Sequence, residues 1–434
     1  MPFRTLFRRL GWPARRAPQS HLVAPDAPGF IDVQDLIQRL DDATLMRSAD
    51  AYFARITPAS EQCRKPWGNP ADAVHQTRHL GLVLEAADLF RGCDVLDFGC
   101  ATGWLTMGLA QMGCNAVGVD IAPNALKLAE QLKAARPVAQ GGGSLDFRAY
   151  DGHRLPLADG SLDRIVCFDA FHHVRDQAAT IREFARVLRP GGRAAFIEPG
   201  PDHSKTPQSQ AEMARFAVIE NDVDMAQIAR HAVDTGFEPP RMLVQFQQPF
   251  TVDVNDFIGW ADRGLPLAWS ARAVQTLERQ LTQGQCFFIV RQGQDSSGPD
   301  SRRPEGLSAE IVVHRAARVA AARGRGIELD VEVRNTGTAR WCTAAGGGQV
   351  NLGVHVLDAN GRVVDDNFAR LRIPASAGAG VAPGEAVRIR GTIAVPSLAD
   401  FTLRLDMVAE LVAWFGRREG SKTATLRGSD ITDA

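Results

Sequence analysis

The chain has 434 residues, 45% of them hydrophobic, which is enough for two or three domains. Its 49 basic and 50 acidic residues give a formal net charge of −1, which argues against a general nucleic-acid binder because such proteins usually carry a basic excess. No apolar run approaches the ~20 residues of a membrane span, and the 7 cysteines, an odd number without a Cys-x-x-Cys pair, favour reduced thiols in a cytoplasmic protein.

The first 30 residues are predicted to form a basic tail. Residues 1–16 are rich in arginine but lack the apolar core of a signal peptide. Four apolar side chains recur at helical spacing between the arginines: Phe3, Leu6, Phe7 and Leu10. Two interpretations stay open. One is a disordered tail, and the other is a short helix on an anionic membrane surface, which would give a weak peripheral membrane contact.

Two helical segments precede the first predicted strand. Residues 31–47 show helical periodicity. Asn69 followed by Pro70 is a typical helix start, because asparagine caps free backbone N–H groups and proline is tolerated at the first helical position. Tyr52, Phe53 and Trp67 lie between the two segments, where either core packing or the lining of a pocket would suit them.

The most informative stretch is VLDFGCATGW, Val95–Trp104. Two apolar residues run into Asp97, glycines stand at Gly99 and Gly103, and a helical pattern then begins. A strand, a glycine turn and a helix in this order prepare a nucleotide-sized pocket at the carboxyl end of the first strand of an open α/β sheet. Glycine lets the backbone approach a ligand where a side chain would collide.

Two further predicted strands end in acids. Asn115–Asp120 has the pattern of a buried strand, and Asp120 lies about 20 residues past the glycine loop, where a carboxylate can accept the hydroxyls of a ribose. Leu145–Gly152 is a third strand and ends in Asp151. Because the carboxyl ends of parallel strands meet at one edge of a sheet, these two acids should converge with Asp97.

Four later segments complete the predicted sheet. Arg164–Val174 has the continuous apolar run of a strand that is covered on both faces. Gly192–Gly200, residues 241–248 and Cys286–Gly293 follow as strands. Right-handed crossovers through the intervening helices predict a doubly wound, Rossmann-like α/β sheet of seven strands.

This ordered set of segments resembles the class I S-adenosylmethionine-dependent methyltransferases of the type 11 branch, over about Ala71–Gln292. The resemblance implies an enzyme with S-adenosyl-L-methionine as its cofactor, a methyltransferase domain over residues 31–293 and a reversed hairpin at the end of the sheet. Ala101 departs from the family, which often has a glycine there, and its methyl group narrows the approach to the cofactor. An NAD enzyme is the nearest alternative, and the loop spacing and Asp151 argue against it.

The resemblance also implies which residues contact the cofactor. Asp120 would accept the ribose hydroxyls, and Asp97 would face the ammonium end, directly or through water. Asp151 with the Gly152 amide would recognise the adenine amino group, while Phe168 either lines the adenine edge or packs in the core. The full predicted set is Asp97, Gly99, Cys100, Ala101, Gly103, Asp120, Ile121, Asp151, Gly152 and Phe168.

Methyl transfer to a hydroxyl needs an aligned nucleophile and a base that removes its proton. Histidine suits this role because it titrates near neutrality. The candidates are His172 and His173 after the fourth strand and His203 after the fifth, and the alternative is that they pack the turns after these strands. Glu198 would orient the substrate or bond a backbone amide.

An acidic run follows at Glu220, Asp222 and Asp224, and acids of this kind favour the start of a helix. These acids could surround a metal ion with His203, but no spacing fixes such a site, so no metal is assigned. The insertions at residues 201–221 and 253–283 should shape the acceptor site, since loops beyond the strand ends carry specificity.

The last third of the chain has a different character. Residues 294–308 have the composition of a linker, being rich in serine, glycine, proline and charge. Residues 309–427 alternate apolar and polar side chains around an Asn360-Gly361 hairpin signal, which predicts an antiparallel β-sandwich. Residues 428–434 are a predicted tail.

The predicted sandwich resembles immunoglobulin-like modules that recur on bacterial enzymes of surface-polysaccharide assembly. The resemblance is carried by four short motifs: Asn335-Thr336-Gly337, Trp341, Pro383-Gly384-Glu385 and Trp414-Phe415. Trp341 and Trp414 could form a platform on which a sugar stacks, or they could pack in the core, which is the more common fate of tryptophan in such a fold.

Three functions stay open from the sequence. The first is O-methylation of a sugar or glycan intermediate of envelope polysaccharide synthesis, which the sandwich suggests. The second is methylation of a small lipid or quinone-like metabolite, with the basic N-terminus near a membrane. The third is a binding or scaffold protein that keeps the cofactor pocket without catalysis. The acceptor atom, the role of the sandwich and the oligomeric state are left open.

Overall fold

The computed structural model describes residues 22–139, 142–244, 254, 284–293, 299–321, 324–374, 377–378 and 380–433. The amphipathic stretch predicted at the N-terminus and nearly all of the predicted insertion at 253–283 lie outside the described residues. The same holds for residues 245–248 of the sixth predicted strand and 294–298 of the predicted linker. No helix within the described residues is long and apolar enough to cross a membrane.

The first predicted helix is in fact two helices, α1 (Val33–Arg39) and α2 (Asp42–Phe53). The break has a local cause, because the Asp41 side chain accepts a 2.7 Å hydrogen bond from a backbone N–H in the first turn of α2 and caps that helix. Helix α3 (Pro70–Ala87) begins as predicted, with Asn69 as its cap.

Seven strands form one sheet in the order β3-β2-β1-β4-β5-β7-β6. The first five strands are parallel to their neighbours, while β7 runs antiparallel to both β5 and β6. The doubly wound sheet with a reversed final hairpin is therefore confirmed. The strands are β1 (Asp94–Phe98), β2 (Asn115–Asp120), β3 (Leu145–Ala149), β4 (Leu162–Phe168), β5 (Leu188–Pro199), β6 (Arg241–Met242) and β7 (Gly284–Val290).

Helices cover both faces of this sheet. Successive side chains of β1 enter different cores, since Val95 packs in the cluster that contains Val83 of α3 and Leu96 packs in the cluster that contains Phe184. Every residue of β4 is buried, as expected for a central strand. The covering helices also include α4 (Trp104–Gln111), α5 (Pro123–Ala135), α6 (Gln177–Val187) and α8 (Met225–Asp234). Helix α7 (Pro207–Phe216) packs instead against α1, where Met213 shares a cluster with Val33 and Leu36.

Strands β3 and β4 end earlier than predicted. β3 stops at Ala149, which leaves Asp151 in the following loop, and β4 stops at Phe168. The chain leaves the sheet at Asp169, which has a left-handed φ of 48°, and Phe171–His173 then form a 3₁₀ turn. The candidate acids and histidines therefore lie in loops at the carboxyl edge of the sheet.

Residues after 308 form the predicted sandwich. A five-stranded sheet (β12-β11-β15-β16, with β17 on β15) shares one core with a four-stranded sheet (β14-β9-β8-β18), and β10 pairs with β13. The strands are β8 (Ala309–Ala321), β9 (Gly324–Asn335), β10 (Trp341–Cys342), β11 (Val350–Leu357), β12 (Val363–Arg372), β13 (Gly380–Val381), β14 (Ala386–Ala394), β15 (Thr402–Ala409), β16 (Ala413–Trp414), β17 (Ala424–Arg427) and β18 (Thr432–Asp433).

The sandwich confirms one sequence prediction and decides between the two roles left open for Trp341. The Asn360-Gly361 hairpin is confirmed, because β11 and β12 are antiparallel and Gly361 has a φ of 78°. Trp341 is fully buried and packs edge-on against Phe415, with ring centroids 5.5 Å apart. Of the two roles left open, core packing is therefore confirmed for Trp341, because its buried ring offers no face to a sugar.

The described part of the predicted linker is anchored to the α/β domain. Arg302 and Arg303 form ion pairs with Asp163 at 3.3 Å and Asp88 at 2.9 Å, respectively. Both guanidinium groups also lie over the ring of Phe90, at 4.8 and 4.6 Å from its centroid. Linker composition did not reveal these contacts, because they depend on acids and an aromatic ring more than 130 residues away in the sequence.

The last residues are also not a free tail. Thr432 and Asp433 pair in parallel with Ala317 and Arg318 of β8, and Ile431 is buried in the sandwich core. Two residues of edge strand carry no periodicity, so the sequence could not distinguish them from a tail.

Candidate active site

A cavity of about 330 Å³ opens at the carboxyl edge of the sheet. Its floor is formed by the loops after β1, β2, β3 and β4, which is where ligands bind in open α/β sheets. Helix α2 and the segment that follows α7 form the opposite wall. The predicted site residues in the cavity wall are Gly99, Ala101, Asp120, Ile121, Asp151, Gly152 and His173.

Asp120 joins the ends of two strands. Its carboxylate accepts hydrogen bonds from the Ala101 N–H and from the Ala122 N–H, both at 2.9 Å. Each carboxylate oxygen has a second lone pair, so both can still accept a hydrogen bond from a ligand. Burial raises the pKa of Asp120, against the hydrogen bonds from Ala122 and Ala101 that lower it. Its place in the cavity wall fits the predicted ribose acceptor.

The two loop glycines are required by packing as well as by backbone conformation. Gly99 has a φ of 70°, and a Cβ there would lie 2.6 Å from the Cβ of Ala170. Gly103 has a φ of 75°, and its Cβ would lie 2.5 Å from the ring of Phe147. Ala101 has a left-handed φ of 49°, which costs an alanine about 1–2 kcal/mol. Cys100 and Gly103 lie outside the cavity wall.

Gly103→Ala is expected to lower the unfolding temperature by several degrees. The left-handed φ costs about 1–2 kcal/mol, and the overlap with Phe147 adds to that cost. Gly108→Ala in α4 is the matched control, because a Cβ there meets nothing within 4 Å and alanine favours a helix by about 1 kcal/mol. Thermal unfolding of both variants checks this, and a Gly103→Ala protein as stable as the wild type would contradict it.

Asp97 does not lie in the cavity wall. It is 2% exposed, and its carboxylate accepts a 2.6 Å hydrogen bond from the Thr106 hydroxyl. Burial raises the pKa of Asp97 to about 7, and the charge of Asp120 raises it further against the hydrogen bond from Thr106. Asp97 is thus near Asp120 but does not line the cavity, and its contact with the ammonium end, directly or through water, stays a prediction.

Asp97 gives a prediction for stability against pH. Its folded pKa of about 7 lies above the unfolded value of about 3.9, so the folded state holds this proton more tightly. The stability that it contributes is complete below about pH 4 and is lost as the pH rises to about 7. Asparagine cannot ionise, so Asp97→Asn should gain unfolding temperature relative to the wild type as the pH rises from about 5 to about 8. If the unfolding temperatures of the two proteins changed with pH by the same amount, this prediction would be contradicted.

Asp151 and Gly152 lie in the cavity wall, as the resemblance implies. One carboxylate oxygen of Asp151 accepts hydrogen bonds from the N–H groups of His153 at 2.8 Å and Arg154 at 2.7 Å, which fixes the loop. Phe168 lies outside the wall and packs edge-on against Trp104, with centroids 5.3 Å apart. Of the two interpretations of Phe168, core packing is the one that fits.

His172 is a buried side chain behind the cavity. Its Nδ1 lies 2.8 Å from Glu198 Oε2. Glu198 also accepts hydrogen bonds through Oε1 from the N–H groups of Ala170 at 3.1 Å and Phe171 at 2.9 Å. Burial lowers the pKa of His172 well below its usual value and raises the pKa of Glu198 to about 7. Glu198 therefore holds the turn after β4, and His172 does not line the cavity; its role as a base stays a prediction.

His173 is the predicted histidine that reaches the cavity. Its side chain is 46% exposed, and its Nδ1 lies 2.6 Å from the Ile219 carbonyl oxygen. A carbonyl only accepts hydrogen bonds, so Nδ1 carries the hydrogen and Nε2 of the neutral ring has a free lone pair. Glu220 Oε1 lies 3.5 Å from the same Nδ1. This arrangement suits a general base.

Glu220 connects His173 to His203. His203 Nε2 lies 2.8 Å from Glu220 Oε2 and 3.3 Å from the Ser209 hydroxyl. Burial acts to raise the pKa of Glu220, but the hydrogen bond from His203 and the neighbouring histidines hold it at about 2. The expectation that Glu220 starts a helix is wrong, because it is 3% exposed inside this cluster. Asp224 of the same acidic run does cap α8.

The structure brings all three predicted histidines together. The His172 ring centroid lies 3.9 Å from that of His173 and 4.9 Å from that of His203. Ligand atoms of His172, His173 and Glu220 lie within 4.8 Å of one another, so these three could hold a metal ion. Each histidine already has a protein partner at one ring nitrogen, and the assignment of no metal stays a prediction.

The wall opposite the sheet is largely apolar. Tyr52 of α2 packs edge-on against Phe216 of α7, with centroids 5.5 Å apart. Of the three aromatic residues for which the sequence left two roles open, Tyr52 and Phe53 line the cavity, whereas Trp67 is 71% exposed and does not. Sequence reasoning missed the other members of this wall because they come from two segments far apart in the sequence: Leu45, Met46, Ala49, Phe216, Val218 and Ile219.

Comparison with known proteins gives a family match in the same region. Residues 96–196 match a family model described as a methyltransferase domain. The matched segment begins in β1, ends in β5 and contains Asp120, Asp151 and His173. It covers the glycine loop and most of the cavity floor, but not the wall formed by α2 and α7.

The matching relatives cover only part of this chain. Ubiquinone biosynthesis O-methyltransferase from Bordetella pertussis is 28% identical over 182 residues, which are 41% of this chain and 70% of that protein. Methyltransferase GfsG from Streptomyces halstedii is 37% identical over 118 residues, which are 26% of this chain and 40% of that protein. The chain therefore spans less than half the length of the second relative.

Solved structures also match part of the chain. The S-adenosylmethionine-dependent methyltransferase from Mesorhizobium loti is 17% identical and has a TM-score of 0.35. The match covers 50% of this chain and 97% of that one.

Proposed function

Residues 96–196 form a methyltransferase domain, and from this premise we propose that the chain uses S-adenosyl-L-methionine to methylate a hydroxyl group of a small acceptor with an apolar body. One observation carries the proposal: a single cavity joins the Asp120 carboxylate, the His173 ring and the apolar wall of α2 and α7. A polar cofactor end, a base and an apolar acceptor wall are what this reaction requires.

The residues of the cavity floor fit the cofactor. Asp120 has free lone pairs for the ribose hydroxyls, and the backbone at Gly99 carries no side chain that would fill the space above the loop. Asp151, with the Gly152 amide, would hold the adenine. When bound, the cofactor supplies a methyl carbon that its sulfonium already activates, so the protein need only align the acceptor and accept a proton.

His173 would accept that proton. Its Nε2 lone pair is free because Nδ1–H is held by the Ile219 carbonyl, so the ring can become a cation without rotating. The Glu220 carboxylate at 3.5 Å would stabilise that cation. His203 holds Glu220 in place, and His172 with Glu198 fixes the turn on which His173 stands.

The apolar wall favours a phenol-like or quinone-like acceptor over a sugar. Apolar and aromatic side chains exclude water and suit a ring or an alkyl chain, whereas a sugar needs several hydrogen-bonding partners in its site. The ubiquinone O-methyltransferase among the relatives acts, by its name, in the synthesis of such a molecule. We keep a cytoplasmic location as part of the proposal, which the seven free cysteines support.

A sugar or glycan intermediate of envelope polysaccharide synthesis is the second candidate acceptor. The observation that favours it is the immunoglobulin-like character proposed for the sandwich, whose two sheets share one core. In that case the acceptor would be polar, and the wall of α2 and α7 would have to contact its non-polar portion.

An acceptor screen with methyl-labelled cofactor tests the proposal. The panel should contain polyprenyl phenols and catechols on one side and nucleotide sugars and lipid-linked glycans on the other. Label transfer to a phenol is expected, and transfer only to sugars would select the second candidate. Calorimetry with S-adenosyl-L-methionine tests whether the protein binds the cofactor. If the folded protein gives no heat of binding, the methyltransferase proposal fails and a scaffold role is left.

A further inference from the structure

A second cavity of about 330 Å³ lies within the sandwich. Its walls come from β11, β12 and β15 and from the segment 414–423, with no contribution from the α/β domain. Most of the side chains around it are polar or charged: His355, Asp366, Arg404, Asp406, Arg417 and Thr423. This composition contrasts with the apolar acceptor wall of the first cavity.

His355 is a buried polar side chain without a partner. It is 4% exposed, and neither ring nitrogen makes a well-aligned hydrogen bond to a residue that the structure describes. Burial lowers the pKa of His355, and the nearby Asp366 backbone acts against this shift. Its ring packs against Trp414, with centroids 4.2 Å apart, and the Arg370 guanidinium lies 4.5 Å from the Trp414 centroid. Buried polar groups in native proteins are normally hydrogen-bonded. An unpartnered one in a cavity wall indicates a ligand that supplies the missing partner.

Charges of both signs face the same cavity. Neither Arg404 nor Arg417 forms an ion pair with a side chain in the described part of the sequence. Asp406 is buried, and its two carboxylate oxygens accept hydrogen bonds from the Gly416 N–H at 2.8 and 3.1 Å. Glycine is required there, because a Cβ would lie 2.6 Å from Asp406 Oδ2. The loop is therefore built around this acid.

We propose that the sandwich cavity binds a sugar ring that carries a carboxylate. Arg404 and Arg417 would hold the carboxylate, since guanidinium groups match its geometry with paired hydrogen bonds. Asp366 and Thr423 would bond the ring hydroxyls, and His355 would gain a partner. Trp414 and Val363 supply apolar surface for the ring carbons.

This binding site is independent of the proposed methyl transfer. Its residues lie outside the matched family segment, and both ligands could bind at once because the cavities share no wall residue. The sandwich would then attach the enzyme to an acidic saccharide, whatever molecule the first cavity methylates.

Calorimetry on the full chain with D-glucuronate, without cofactor, tests the proposal. D-glucuronate is expected to bind, and Arg404→Ala and Arg417→Ala should each weaken binding at least tenfold. Arg418→Ala is the matched control, because Arg418 is exposed in the same segment but does not line the cavity. Circular dichroism and thermal unfolding, measured in every variant, verify that the sandwich is folded.

Three further probes identify the recognised group. D-glucose, which lacks the carboxylate, should bind at least tenfold more weakly, and acetate, which lacks the ring, should not bind measurably. Equal binding of acetate or of glucose would overturn the proposal, as would tighter binding of glucose 6-phosphate. Absence of glucuronate binding to folded protein would also overturn it, and that result would leave the methyltransferase proposal untouched.

Discussion

Asp120→Ala is expected to weaken the binding of S-adenosyl-L-methionine by about 100-fold or more. Two lost hydrogen bonds between a carboxylate and the ribose hydroxyls account for about 3 kcal/mol, which corresponds to roughly this factor. The loop adds to the effect, because the same carboxylate holds the Ala101 and Ala122 N–H groups at 2.9 Å. Calorimetric titration of the folded variant measures it.

Two further variants separate these contributions. Asp120→Asn keeps one acceptor oxygen and should lie between the wild type and the alanine variant. Asp146→Ala is the matched control, since Asp146 is an exposed acid on β3 that pairs with Arg148 outside the cavity. The Asp146→Ala variant should bind S-adenosyl-L-methionine as tightly as the wild type does. If Asp120→Ala folds and binds the cofactor as tightly as the wild type, Asp120 is not part of the site.

His173→Gln is expected to lower kcat by about 10²- to 10⁴-fold, the usual contribution of a general base. Glutamine retains a donor for the Ile219 carbonyl but has no basic nitrogen. Cofactor affinity should stay within about twofold, because His173 belongs to the acceptor side of the cavity. Single-turnover rates with the acceptor from the screen, together with calorimetry, measure both quantities.

The control for His173 is His231→Gln on α8, remote from the cavity, which should retain full activity. If kcat is unchanged in His173→Gln, another group must remove the proton from the substrate hydroxyl. Assays with a metal chelator test separately whether the reaction needs a metal ion. Activity that a chelator abolishes and a divalent ion restores would instead make His172, His173 and Glu220 a metal site.

The sequence by itself determined which segments form the strands of the sheet and which loops at the strand ends carry glycines and acids. Each part of that prediction rests on local chemistry. Glycines at 99 and 103 permit left-handed turns, apolar runs form buried strands, and Asp120 follows its strand at a fixed spacing. Turns, buried strands and the acid at a strand end depend on residues that are neighbours in the sequence, so the sequence alone can predict them.

Only the tertiary structure decided which side chains reach the cavity. Asp97 and Phe168 lie close to the cavity but not in its wall: Asp97 is hydrogen-bonded to Thr106, and Phe168 packs on Trp104. The direction of the backbone at the end of a strand decides which side chains face the cavity. Glu220 was predicted to start a helix, but its carboxylate lies beside His173, which is 47 residues earlier in the sequence. The apolar wall from α2 and α7, the anchored linker and the sandwich cavity likewise arise from contacts between distant segments, which no local pattern encodes.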